Sequence, residues 1–191
     1  NAAGVSPNVA ASIKGTEAFK VEDAKSRAEA YTTMQKTAMG NQPKIAKFER
    51  IGKLLADYDG GKLAQTGYEL GRLGTSLGIP IDPKLSNKEA AAALANEVAL
   101  DLRSTADGSG MPGALSDADR EFLKSMTPQL AQTDKGRKLI IESRVLIWKR
   151  EQKIAEMARQ YVKKHGATDE DFYSQLQEWS NRYPIFNYAN R

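Results

Sequence analysis

The sequence predicts an all-α protein: a multi-helix bundle with a long basic amphipathic helix and an extended N-terminal arm. Three observations support this class. Apolar residues recur at three- and four-residue spacing, as in Ile45, Phe48 and Leu55, which is the period of a helix with one buried face. No region alternates apolar and polar residues over the length of a strand. The chain has 191 residues, 40% of them hydrophobic, which is enough to bury a core.

The first 40 residues predict an arm rather than a part of the core. Residues 1–21 are small, polar and without periodicity, which is typical of a flexible or partner-bound arm. Residues 22–39 favour a helix, but its apolar positions are mostly alanine. The larger side chains are Tyr31, Met34 and Met39, which we expect to contact another subunit because the helical arm has little to bury on its own.

Residues 43–191 are expected to form the helical domain, separated from the arm by a break at Gly40–Pro43. The predicted helices of the domain cover about 43–58, 62–77, 88–104, 116–126, 133–164 and 168–183. Start and stop signals set these boundaries. Asn87, Ser116 and Thr168 are the predicted N-caps, and Gly166 is the predicted C-cap of the longest helix.

Each predicted helix has one apolar face that we expect to be buried. The predicted buried residues are Ile45, Phe48, Ile51 or Gly52, Leu55, Ala91, Leu94, Ala95, Val98, Leu102, Phe122, Leu123, Met126, Ile140, Ile147, Ile154, Ala158, Tyr161, Phe172, Leu176 and Trp179. The apolar runs are far shorter than the roughly 20 residues of a bilayer span, so no transmembrane segment is predicted.

Composition excludes several kinds of active site. The chain has no cysteine and one histidine, so it cannot form a disulfide, a thiolate nucleophile or a His-rich metal site. Two remaining motifs are poor matches. Gly108–Gly113 fits the dinucleotide pattern G-x-G-x-x-G, but a helix rather than a strand precedes it. Glu142-Ser143 resembles the Glu-Ser pair of lytic transglycosylases, but nothing else completes that site. We therefore predict a protein that is not an enzyme, with no catalytic, cofactor or metal residues.

Basicity is the more informative signal. Residues 135–164 contain ten Lys or Arg against three Glu, a charge of +7, while the whole chain is +4. One face of this predicted helix carries five lysines, Lys135, Lys138, Lys149, Lys153 and Lys163. This face could contact DNA without sequence specificity, an anionic membrane surface or a partner protein, or it could be solvated.

Three stretches resemble a group of largely uncharacterised tailed-bacteriophage virion proteins. They are Pro43–Leu55, Asn96–Arg103 running into Gly110–Leu123, and the basic helix running into Tyr183–Phe186. The most specific part is the run G-M-P-G-A-L-S-D-A-D-R-E-F-L at residues 110–123. The resemblance covers about residues 40–190, and these proteins are described as internal-virion or ejection (DNA-delivery) components.

The resemblance implies a setting but no active site. It implies a structural virion protein that is made in the bacterial host cytoplasm, self-assembles or binds other virion proteins of the portal, tail or internal core, and has no small-molecule substrate. Such a region often lies near the C-terminus of a longer chain. The start at Asn1 rather than Met agrees with this, so we expect the sequence to be part of a longer protein. Two alternatives stay open: a DNA-binding module that uses the basic helix, and a peptidoglycan-cleaving glycosidase that uses Glu142.

Overall fold

The computed structural model describes residues 7–59, 64–82 and 84–186, and these residues contain helices and no strand, which confirms the predicted all-α class. The helices are α1 (Pro7–Asp59), α2 (Ala64–Thr75), α3 (Asn87–Ser104), α4 (Asp117–Lys124), α5 (Pro128–Ala131), α6 (Asp134–His165) and α7 (Glu170–Arg182), with a π-helical turn (Thr105–Ser109) directly after α3. The parts of the predicted arm at residues 1–6 and of the predicted domain at 60–63, 83 and 187–191 lie outside the described residues.

α1 differs most from the sequence prediction. It is one helix of 53 residues, about 80 Å long, and it includes the described part of the predicted arm as well as the first helix of the domain. The predicted break at Gly40–Pro43 is wrong, and residues 7–21 are helical. Pro43 is tolerated inside α1 because side chains on both sides of it, Ala38 and Ile45, are buried. Tertiary packing thus overrides a local helix-breaking signal.

α1 and α6 form an antiparallel pair around which the other helices are arranged. Gln35 of α1 contacts Arg159 of α6, whereas Glu49, further along α1, contacts the earlier residue Lys149. α3 and α5 also pack against α6, and α2 packs against α1 and α3. α6 is therefore a central element of the bundle rather than a separate basic rod.

Two groups of buried apolar side chains hold the helices together. The larger core contains residues from α1 to α6, among them Ile45, Phe48, Ile51, Leu55, Leu70, Leu94, Leu123, Ile147 and Trp148. The smaller core contains Met34, Ala38, Ala114, Ile154, Ala155, Ala158, Phe172 and Leu176. In the larger core the ring of Phe48 meets that of Trp148 edge-on, with centroids 4.7 Å apart. Most of the predicted core faces are confirmed, although Phe122, Tyr161 and Trp179 are only partly buried.

The predicted cap of α4 is confirmed, and its aspartate has a further role. The Ser116 side chain accepts from the Asp119 N–H, and the Asp119 carboxylate accepts from the Ser116 N–H, which forms a capping box. The same buried carboxylate also accepts from the N–H groups of Ile185 and Phe186, at 3.2 and 3.1 Å. Asp119 therefore ties the segment after α7 to the start of α4. Gly166, with φ of 87°, ends α6 as predicted.

Two other predicted caps are wrong by one residue. α3 is capped by Ser86 rather than Asn87, because the Ser86 side chain and Glu89 form a reciprocal capping box. α7 is capped by Asp169 rather than Thr168, since Asp169 Oδ1 accepts from the Phe172 N–H at 2.9 Å. At α3 the Glu89 carboxylate accepts from the Ser86 N–H, and at α7 the Asp169 carboxylate accepts from the Phe172 N–H, so a charged group stabilises each helix start.

Candidate functional site

Between the two cores, the seam of α1 and α6 contains a pair of buried polar side chains. Asn41 of α1 is 2% exposed and Glu151 of α6 is 4% exposed. The Asn41 amide nitrogen donates a hydrogen bond to Glu151 Oε2 at 2.6 Å. On α1, the pair lies between Ala38 of the smaller core and Ile45 of the larger core. A polar layer thus divides the apolar seam into two parts.

The buried carboxyl of Glu151 has an altered proton affinity. Burial raises the pKa of Glu151, because the charged form loses its hydration. The hydrogen bond from Asn41 and the positive charges of Arg144 and Lys44 act in the opposite direction, but burial is the largest cause. The carboxyl can therefore hold a proton at a pH where a surface glutamate has lost it. Its low exposure leaves little room for contact with a polymeric substrate.

A second polar group lies two turns before Glu151 on α6. Arg144 Nη2 lies 2.9 Å from Asp101 Oδ2, and Nη1 donates to Thr105 Oγ1 at 3.1 Å. The guanidinium carbon is 4.8 Å from the centroid of the Trp148 ring, which is a cation–π distance. These contacts tie α6 to the end of α3 at the point where the π-helical turn begins.

A cleft of about 390 Å³ opens beside these polar groups. On one side it is lined by α1, including Thr33, Met34 and Thr37. On the other side it is lined by the loop after the π-helical turn, including Met111, and by Tyr173 of α7. The part of α1 before Asn41 therefore borders open space on this side rather than a packed neighbour.

All five lysines of the predicted basic face, Lys135, Lys138, Lys149, Lys153 and Lys163, are exposed. Three of them are close to carboxylates: Lys138 to Glu142 at 3.8 Å, Lys149 to Glu49 at 2.7 Å and Lys153 to Glu156 at 3.0 Å. Lys135 and Lys163 have no ion pair among the described residues. These two lie about 42 Å apart along α6. Lys164, next to Lys163, is also exposed and without an ion pair among the described residues, so the unpaired lysine charge lies at the two ends of α6.

Three of the four arginines of α6 contribute little to an exposed basic face. Arg137 is buried, where it pairs with Asp134 and donates to the carbonyl of Ala131. Arg144 is paired as described above, and Arg150 lies over the ring of Trp179, with its guanidinium carbon 4.2 Å from the centroid. Arg159 is exposed and donates to Gln35 Oε1, near Lys163 and Lys164. The charge of +7 counted from the sequence is therefore partly buried or paired along α6, and exposed positive charge remains at the end of the helix.

The three predicted subunit-contact residues have different environments. Met34 is buried in the chain's own smaller core, and Tyr31 is partly buried against that core. Only Met39 is freely accessible, with 74% of its surface exposed. Of the three, Met39 is therefore the side chain that a second chain can reach directly.

The two motifs considered for catalysis have surface or loop environments. Glu142 is exposed and lies 3.8 Å from Lys138 rather than in a pocket. Gly108–Gly113 follows α3 and the π-helical turn and leads into the capped start of α4. Gly108 and Gly113 have positive φ values of 113° and 72°, so these glycines serve the turns of this loop.

Residues 16–30, in the N-terminal half of α1, form a long stretch of helix that the rest of the chain leaves uncovered. None of residues 16–30 is buried, and only Asp23 and Arg27 are partly covered. Asp23 and Arg27 form an ion pair with each other at 2.7 Å. Two large apolar side chains, Phe19 and Val21, are 73% and 69% exposed. This exposed segment, residues 16–30, is called the projecting segment below.

The polar seam was missed in the sequence although a signal for it is present. Glu151 follows Ile147 by four residues and precedes Ile154 by three, so helical periodicity puts it on the buried face. The net charge of a helix does not distinguish a buried glutamate from the exposed charges around it. Asn41 was missed because Gly40–Pro43 was interpreted as a break, which removed Asn41 from any helical face.

Comparisons with protein-family models, curated proteins and solved structures return no match to this chain. Within residues 7–59, 64–82 and 84–186 there is no group of three or more potential metal-binding side chains. No helix in those ranges has the length and apolar character needed to cross a membrane. The geometry of the α1–α6 seam and the projecting segment is therefore the basis for a functional proposal.

Proposed function

We propose that the chain is a non-enzymatic structural protein of a tailed-bacteriophage particle, an internal or ejection component involved in genome delivery. In this proposal it assembles with further copies of itself or with other virion proteins through the projecting segment of α1. The phage setting rests on the resemblance of residues 43–55, 96–123 and the end of the chain to such proteins. The mode of action rests on the exposure of the projecting segment.

The register of α1 and α6 supports the role of the projecting segment. Gln35 Oε1 lies 3.0 Å from Arg159 Nη1, so His165, the last residue of α6, is level with about residue 29 of α1. The part of α1 before that level extends beyond its main partner. It exposes Phe19 and Val21 to solvent.

A helix without tertiary contacts gains little from being ordered. Isolated helices of about 12 to 15 residues are marginal in water, because most helix stability in proteins comes from packing. The projecting segment buries no side chain in its own chain, yet it continues a helix that is well packed further on. A second protein surface would supply the missing contacts, which favours a protein that works in an assembly over one that works as a monomer.

The test compares the association of three purified forms of the chain. Multi-angle light scattering over a range of concentrations measures self-assembly, and co-purification measures binding to the portal, tail and internal virion proteins of the same phage. We expect Phe19→Ser/Val21→Ser to reduce association at least tenfold. Tyr68→Ser removes an equally exposed aromatic side chain from α2 and serves as the matched control, with no loss expected.

The contrary result is a wild-type chain that stays monomeric at high concentration and binds none of those proteins. The DNA-binding alternative gives a different result in a titration with duplex DNA, because phosphate contacts release counterions and the affinity falls steeply with salt. A steep salt dependence that weakens in Lys135→Ala/Lys163→Ala would favour DNA binding as the main role.

A further inference from the structure

Pro43 and Gly40 make the middle of α1 locally weak. Proline has no N–H, so the helical hydrogen bond from residue 43 to the carbonyl of Met39 cannot form. Gly40 is exposed, and a side chain added there would meet no atom within 4 Å. Neither residue therefore braces α1 against bending at this point.

The two sides of this weak point are held to the rest of the chain differently. After it, four α1 side chains at helical spacing enter the larger core. Before it, among residues 16–40, only Met34 and Ala38 are buried, and the same stretch borders the cleft. Gln35 adds polar contacts to the carbonyl of Ala155, at 2.9 Å, and to Arg159. These are few contacts for residues 16–40, the part of this segment whose side chains the structure describes.

We propose that residues 7–42 of α1 swing away from α6 and α7 about Pro43, with the Asn41–Glu151 hydrogen bond as the latch that holds the closed form. Opening would widen the cleft and release the smaller core from Met34. The purpose of the motion, to make α1 available to its partner, rests on the proposed function. The motion itself is a property of the isolated chain.

The charged groups around Glu151 set how the latch responds to pH. Lys44 approaches from α1, Asp101 from the end of α3 and Arg144 from α6, while Tyr173 of α7 lines the same cleft. Burial is the dominant influence and favours the protonated carboxyl in the closed form. In the open form the carboxyl is hydrated, and its pKa returns toward the ordinary value.

The direction of the pH effect follows from proton linkage. The closed form binds more protons than the open form between the ordinary carboxyl pKa and the raised pKa of closed Glu151. The closed form is therefore favoured most at and below the ordinary value and loses this advantage as the pH rises. The ratio of open to closed chains should rise about tenfold for each unit by which the two pKa values differ.

The absence of cysteine allows a direct measurement of the motion. Spin labels on Lys36→Cys and Lys163→Cys report the distance from the first half of α1 to the end of α6. Labels on Lys53→Cys and Lys138→Cys report the second half as the matched control, and all four positions are exposed. Distances between the labels are measured by double electron–electron resonance on both pairs, at about pH 5 and about pH 8. The same measurements are made in the Glu151→Gln variant, whose uncharged side chain has the same shape and keeps an oxygen that accepts from Asn41.

We expect a long-distance population for the 36/163 pair that grows between the two pH values, an unchanged control pair, and no pH response in Glu151→Gln. The proposal is overturned if the 36/163 distance stays single at both pH values, if Glu151→Gln responds as the wild type does, or if both pairs broaden together, which would indicate general unfolding. None of these results depends on whether the chain binds other virion proteins, so the motion and the proposed function are tested separately.

Discussion

The two halves of α1 are one continuous helix but have different relations to the rest of the molecule. In residues 41–55, Ile45, Phe48, Ile51 and Leu55 are all buried in the larger core. In residues 16–40, only Met34 and Ala38 are buried among the apolar side chains. Helical backbone is thus a poor guide to how firmly a segment is attached. The packed half is held by burial, whereas the other half depends on a few contacts and on continuity with its neighbour.

This difference suggests a division of labour within one helix. The packed half fixes the position of α1 on α6, and the sparsely packed half is available for other contacts. The buried pair of Asn41 and Glu151 stands at the boundary between them. Buried polar pairs of this kind contribute less to stability than apolar packing does, since each group gives up its hydration. A boundary of this composition is a suitable place for two units to move independently.

The largest expected effect is the removal of a ring from the packed half. Phe48→Ala deletes the edge contact with Trp148 and leaves a cavity in the larger core. We expect the free energy of unfolding to fall by about 4 kcal/mol, measured by urea denaturation followed by circular dichroism. The loss of stability should be global, so the free energy of unfolding obtained from Trp148 fluorescence should fall by the same amount. A fall below about 1 kcal/mol would mean that this half is not the anchor.

The sparsely packed half should respond more weakly and more locally. Met34→Ala removes the largest apolar side chain that this half buries, so we expect a loss of about 2 kcal/mol. Hydrogen exchange should accelerate at residues 16–40 and in the neighbouring turns of α7. The amides of residues 44–55 act as the internal control and should keep their protection. Equal acceleration in both halves would remove the distinction between them.

A smaller effect is expected from straightening the weak point itself. Pro43→Ala restores an N–H that can bond to the carbonyl of Met39, so the free energy of unfolding should rise by about 1 kcal/mol. Exchange of the amides near Gly40 should slow at the same time. Pro128→Ala is the matched control, because Pro128 lies at the start of α5, where proline is favourable and its loss should destabilise slightly. Stabilisation by both substitutions would point to an effect of the unfolded state instead.

The fold class could be predicted from the sequence because the periodicity of the large apolar residues is clear. The faces around Ile45 and Leu94 and the capping box of Ser116 were all predicted and are confirmed. The continuity of α1 could not be predicted. Proline costs about 3 kcal/mol in an isolated helix. Burial of Ala38 and Ile45 on the two sides of Pro43 and the buried contact of Asn41 with Glu151, 110 residues away in the chain, outweigh that cost.

The candidate site was harder to predict, for an electrostatic reason. A sequence gives the charge of a side chain but not its partner. Arg137 and Glu151 belong to the same helix as the exposed lysines, yet both are buried. The position of Glu151 on the apolar stripe predicts burial, but its partner Asn41 lies 110 residues away and the contact depends on the register of α1 and α6. Such pairings follow from the assembled fold rather than from local pattern.

The smallest expected effect provides the sharpest test of the comparison. Phe19→Ser/Val21→Ser should change the free energy of unfolding of the dilute monomeric chain by less than about 0.5 kcal/mol, because both side chains are mostly exposed and leave no cavity. The measurement is urea denaturation at low concentration, with Tyr68→Ser as the control. If the double variant lost more than about 1 kcal/mol, these side chains would have a partner within their own chain, and the first half of α1 would be anchored after all. Unchanged stability combined with weakened association would show that the two halves of α1 are held by different partners.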